Sequence, residues 1–120
     1  MDKTLIKKER PKVLKCVAEE VTTGCGHLYV RMGFDEDGNM LEVLTTLGKA
    51  GGCAYCQLEA ISRSVSLGLK YGIPIEDYVD QFLKIECPSK VMWPEDKCVL
   101  SCADGIAKVL RSHSNGNSKG

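Results

Sequence analysis

The hydrophobic pattern of this chain changes period once and does not change back. From His27 to Phe34 apolar side chains alternate, with Leu28, Val30, Met32 and Phe34 on one side and Tyr29 and Arg31 on the other. A period of two marks a strand with one buried face. From Cys53 to Lys70 the apolar positions Ala54, Leu58, Ile61, Val65 and Leu69 instead recur at steps of four, three, four and four, which is one face of a helix. Strands come first and helices after. That segregation predicts an α+β fold in which helices cover one face of a small antiparallel sheet.

The remaining elements fit around this switch. Val13 to Thr22 reads as a strand with Val13, Val17 and Val21 on one face, and Met40 to Thr46 as another. Between Phe34 and Met40, Asp35-Glu36-Asp37-Gly38-Asn39 is a hairpin turn with Gly38 or Asn39 at positive φ. Leu47 to Gly52 links sheet to helix. Gly72 ends the long helix, and Pro74 opens a second with Ile75, Val79, Phe82 and Leu83 as its stripe, running to about Ile85. Cys87 to Leu100 is irregular and holds Pro88, Trp93 and Pro94. Ser101 and Asp104 form a capping-box pattern before a last helix that buries Ile106, Val109 and Leu110. The expected layout is a charged arm over residues 1–12, one domain over 13–111 and a disordered Ser/Asn/Gly/Lys tail over 112–120.

Charge and cysteine usage narrow the function. With 16 basic and 16 acidic residues the 120-residue chain lacks the net basic footprint of a general nucleic-acid binder. Lys3, Lys7, Lys8, Arg10 and Lys12 read as a solvated arm, and a small regulatory protein binding nucleic acid through that arm is the alternative. No stretch reaches the roughly 18 apolar residues that span a bilayer. The lysine-rich N-terminus has no apolar signal-peptide core. Both point to a cytoplasmic protein, where disulfides do not persist. Seven cysteines, an odd number, point the same way, to metal ligation or thiol chemistry.

Four of the seven lie at joints between elements. Cys25 is in the Thr23-Gly24-Cys25-Gly26 turn, Cys53 follows Gly51-Gly52, Cys87 opens the Cys87-Pro88 loop and Cys102 follows Ser101. Mid-element cysteines are usually packing groups, whereas loop mouths and helix starts favour the thiolate, the form that ligates metal or attacks. Brought together, the four would make a closed tetrathiolate zinc site or hold an iron–sulfur cluster. Cys53 and Cys56 form the one CxxC pair, but it follows a Gly-Gly link and not a strand of a βαβ unit, so Cys56 reads as a packing group or substitute ligand. His27 is a strand-surface residue or an extra ligand. Gly48 to Gly52 lacks the spacing of a phosphate-binding loop. Trp93, between Met92 and Pro94, is a partner-docking residue or a core anchor.

These residues resemble the TSCPD domain, found at the C-terminal side of adenosylcobalamin-dependent (class II) ribonucleotide reductases and as small stand-alone proteins. The resemblance runs in order through Arg10-Pro11-Lys12-Val13-Leu14-Lys15, Thr23 to Val30, Leu47 to Cys53 and Leu58 to Arg63. It continues through Gly72-Ile73-Pro74, Ile85-Glu86-Cys87-Pro88 and Leu100 to Ala107. Leu100-Ser101-Cys102-Ala103-Asp104 stands where the name motif reads Thr-Ser-Cys-Pro-Asp. The family's shared cysteines fall on Cys25, Cys53, Cys87 and Cys102, with Cys16, Cys56 and Cys98 as extras. The resemblance implies an accessory module that is not an enzyme by itself, with a reductase catalytic chain as partner and self-association open. A second likeness, to IscU/SufU-type iron–sulfur scaffolds, rests on element order. It implies a two-layer architecture with cysteines gathered at one end, and an iron–sulfur or persulfide scaffold as the alternative function.

Overall fold

The computed structural model of the protein describes residues 5–48 and 52–118. Its elements are β1 (Lys15–Thr23), β2 (Gly26–Phe34), β3 (Met40–Leu47), α1 (Gly52–Lys70), α2 (Ile75–Phe82), a short 3₁₀ turn (Glu95–Lys97) and α3 (Cys102–Ser118). The strands form an antiparallel meander in the order β1-β2-β3. The α+β expectation of three strands followed by helices holds.

Register explains which face is buried. Val21 lies opposite Leu28, which lies opposite Leu47, and Val17 opposite Met32, which lies opposite Val43. Residues directly opposite share a face, so this is the helix-covered side. Leu28, Val30 and Met32 are completely buried there. Against them pack Leu58, Val65 and Leu69 of α1, Val79 of α2, and Ile106, Val109 and Leu110 of α3. Each such side chain stabilises by roughly 1.5–3 kcal/mol. Two polar pins fix α1 on β3. Ser66 Oγ accepts from Val43 N–H at 2.9 Å and donates to Val43 O at 3.0 Å. The Thr45 and Ser62 hydroxyls meet at 2.7 Å.

The β2–β3 turn is locked by Asp35. Its carboxylate accepts from the Asp37 and Asn39 N–H groups, both at 2.9 Å, and pairs with Lys8 at 2.5 Å. Gly38 takes the positive φ, 84°. Lys8 also donates its backbone N–H to Lys70 O at 2.8 Å, and Arg10 pairs with Glu42 at 2.7 Å. The described part of the charged arm is thus pinned across β3 and the end of α1.

Three helix limits differ from the sequence expectation. Pro74 is the N-cap of α2, not its first helical residue, and the helix stops at Phe82. Leu83 turns extended and Lys84 adopts φ 69°, because the Lys84 N–H is drawn to the carboxylate of Asp104 at 2.8 Å. Helix α3 runs to Ser118, through a stretch whose composition suggested a disordered tail. Among the described residues no helix is long and apolar enough to cross a membrane.

Candidate functional site

One corner of the molecule is built by three chain segments that the sequence separates widely. The β1–β2 turn, the Cys87–Ser89 loop and the start of α3 meet there. A Cβ added to Gly24 would stand 1.7 Å from Ser89 O and 2.5 Å from Ser89 C. The turn can therefore press against the loop only because residue 24 has no side chain. Around Gly105 of α3, the methyls of Val99, Val21 and Thr23 lie 3.2, 3.5 and 3.7 Å from a Cβ built there. Backbone bonding closes the third side: Cys87 N–H donates to Leu100 O at 2.9 Å.

Thr23 is the hub of this corner. Its hydroxyl donates to Gly26 O at 2.9 Å and accepts from Cys25 N–H at 3.1 Å, which shapes the turn that carries Cys25. The Cys102 thiol donates to the same hydroxyl at 3.7 Å. Burial pushes the Cys102 thiol above its ordinary pKa, the Thr23 hydrogen bond pulls it down, and the neighbouring Cys25 and Cys87 thiols push it up again. Charge repulsion from both, together with a hydrogen bond to Cys25 that favours the protonated thiol, is the cause of that last effect. Cys87 itself donates to Ser89 O at 3.6 Å. Cys25 is exposed, and Cys87 and Cys102 are half-buried.

Three of the four joint cysteines are therefore neighbours. Among the described residues, however, no three His, Cys, Asp or Glu side chains are grouped in an arrangement that holds a metal. Cys53 is exposed in the first turn of α1 and is not among the groups acting on Cys102. The link that would set its position, residues 49–51, lies outside the described residues. Cys56 is exposed one turn further along α1. His27 is a strand-surface residue whose Nδ1 meets Glu20 Oε2 at 2.6 Å. Cys16 is exposed near the start of β1.

Beneath the corner lies a buried carboxylate. Asp104 is completely inaccessible. Its Oδ1 accepts from Lys84 N–H at 2.8 Å, and its Oδ2 accepts from Leu100 N–H at 3.0 Å and pairs with Lys108 at 2.8 Å. Burial pushes its pKa up, but the hydrogen bonds from Lys108, Lys84 and Leu100 outweigh that and hold it below the ordinary carboxylate range. Only half of the capping box forms. The Asp104 N–H donates to Ser101 Oγ at 3.0 Å, while the carboxylate serves Leu100 and Lys84. In doing so it ties together the segments on either side of Cys87 and Cys102.

The loop before α3 is closed by a Val91–Val99 bridge and by the Cys98 thiol donating to Met92 O at 3.2 Å. At its tip Trp93 is 79% exposed and Met92 57%. Trp93 is thus not a core anchor. Sequence reasoning missed Thr23, Gly24 and the second role of Asp104. The glycines flanking Cys25 were the available signal, but the loop that Gly24 meets lies far along the chain.

The family described as the TSCPD domain matches residues 3–114. Over 107 residues the chain is 31% identical to a vitamin B12-dependent ribonucleotide reductase of Streptomyces coelicolor, covering 88% of this chain and 11% of that one. Over 85 residues it is 29% identical to the protein of the same name from Bradyrhizobium diazoefficiens, covering 68% of this chain and 7% of the relative. The chain thus spans about a tenth or less of the length of these relatives. No solved structure matches it.

Proposed function

The chain belongs to the TSCPD domain family, and from that premise we propose that it is a zinc-binding accessory module that associates with a ribonucleotide reductase chain and does not reduce ribonucleotides by itself. Cys25, Cys53, Cys87 and Cys102 are the proposed ligands. The observation that carries this reading is the meeting of Cys25 and Cys87 around Cys102, on three segments that lie far apart in the chain. The donor chemistry fits: four thiolates are the set that a closed tetrahedral zinc site takes. A divalent cation would offset the mutual repulsion that three neighbouring thiols develop on ionising. Closing the site requires the exposed Cys25 and Cys53 thiols to turn inward, each from a solvent-facing position.

The partner half of the reading rests on two facts. The relatives carry this region as a small part of a vitamin B12-dependent reductase chain, and the exposed Met92-Trp93-Pro94 tip offers the kind of anchor that often dominates interface energetics. Metal analysis of protein purified without air tests the function. About one zinc per chain and no visible chromophore supports it. A brown protein carrying iron and sulfide would replace it with the iron–sulfur scaffold reading.

A further inference from the structure

The two edges of the sheet are treated differently. On β3 helix α1 occupies part of the outward backbone: Ser66 satisfies both the N–H and the C=O of Val43, and Lys70 reaches Leu41 O at 3.4 Å. On β1 the outer edge is bare. Besides its ladder with β2, no hydrogen bond to the backbone of residues 15–21 is found among the described residues. All six residues from Lys15 to Glu20 are exposed. The strand has no proline and no bulge, two of the devices that stop an edge from pairing. Its charges, Lys15, Glu19 and Glu20, are of both signs and so block pairing only in registers that oppose like with like.

We infer that β1 is the self-association edge of this protein, pairing antiparallel with β1 of a second copy about a twofold axis to give a six-stranded sheet. The axis passes through the sheet normal, so helix-side residues must face helix-side residues. Lys15, Val17, Glu19 and Val21 are that set, because Val17 and Val21 lie opposite the buried Met32 and Leu28. Centring the axis on Val17 sets Val17 against its own copy and places Lys15 opposite Glu19 twice. Moving the centre by one residue toward Cys16 sets Lys15 against Val17, and moving it toward Ala18 sets Glu19 against Val17. Both separate the opposite charges. Opposed opposite charges stabilise a strand pair and opposed like charges destabilise it, so charge selects the Val17 register.

A groove beside the edge supports the same register. It has a volume of about 640 Å³ and is lined by Glu20, Val21, Trp93, Asp96, Val99 and Lys108 among others. In the Val17 register Val13 of the second copy falls opposite Val21, at the groove. Val13 is 81% exposed in the isolated chain. Pro11 then ends the pairing, since it has no N–H to give.

Charge exchange tests the inference on the full chain. Sedimentation across a concentration series is expected to show a dimer of the unaltered protein. Lys15→Glu and Glu19→Lys should each weaken association about tenfold or more, because two attractive pairs become repulsive. The double variant should recover it. Glu19 also pairs with His113 at 2.7 Å, so Val17→Lys, which breaks no intrachain ion pair, serves if Glu19→Lys unfolds. It too should be monomeric. A monomer at every concentration, single variants that dimerise normally, or a folded double variant that stays monomeric would each overturn the inference. Zinc content is irrelevant to these outcomes, so failure here and failure of the zinc reading are distinguishable.

Discussion

Replacing Asp104 with alanine isolates what holds the cysteine corner in place. The carboxylate is fully buried and serves three partners. Removing it strands the N–H groups of Lys84 and Leu100, at about 1–3 kcal/mol each for a buried unsatisfied donor. Lys108 loses its ion pair but is partly exposed and can turn to water, so that loss adds little. The expected destabilisation is therefore roughly 2–6 kcal/mol, a large part of the ~5–15 kcal/mol that holds a domain together. A residue that merely caps α3 would cost about 1 kcal/mol, which is the loss expected for Ser101→Ala. Urea unfolding of both variants by linear extrapolation compares them. Asp104→Asn keeps the volume and one acceptor, and provides a folded reference if the alanine variant does not fold. Equal losses in Asp104→Ala and Ser101→Ala would refute the idea that this carboxylate ties three segments together.

Further outcomes follow from other parts of the structure. The Asp35 carboxyl is pushed up by burial, but the hydrogen bonds from Lys8, Asn39 and Asp37 bring it down to about 2 from an ordinary 3.8. A depressed folded pKa gives stability that is present above the unfolded value and lost as pH falls through the folded one. Asp35→Asn should therefore lose about 1 kcal/mol at neutral pH, after screening at the half-exposed Lys8. Thermal melts of the two proteins should converge between pH 4 and pH 2, and a constant gap would contradict this. Gly24→Ala should cost roughly 1–3 kcal/mol, because the clash is with backbone atoms, and should lower zinc content as the Ser89 loop is pushed away. A stable variant with unchanged metal would break the link between that contact and the site. Trp93→Ala should weaken capture of a reductase chain at least tenfold while leaving folding intact, and undiminished capture would exclude the loop as the anchor.

Local order was legible in the sequence and tertiary contact was not. The alternation of Leu28, Val30 and Met32 placed β2 to within a residue, since period-two burial is a property of the strand alone. The stripe from Ala54 to Leu69 did the same for α1. The end of α2 was misjudged because Leu83 and Ile85 continue the apolar supply, while the decisive partner of Lys84, Asp104, lies twenty residues on. Of the cysteines at joints between elements, the fold brings Cys25, Cys87 and Cys102 to one corner. Joint position gives no means of telling whether Cys53 arrives, because its approach is set by a glycine-rich link whose path no periodicity encodes. Thr23 and Gly24 escaped for a related reason. A threonine hydroxyl or a missing Cβ acquires meaning only when a distant loop lands on it.

Cys53 is accordingly where the zinc reading is most exposed. X-ray absorption at the zinc edge, on protein purified without air, counts the sulfur ligands directly. Four sulfurs at about 2.3 Å are expected, falling to three with a lighter atom in their place in Cys53→Ser, as in Cys102→Ser. A shell with fewer than four sulfurs in the unaltered protein, or a four-sulfur shell that survives Cys53→Ser unchanged, would contradict the tetrathiolate assignment.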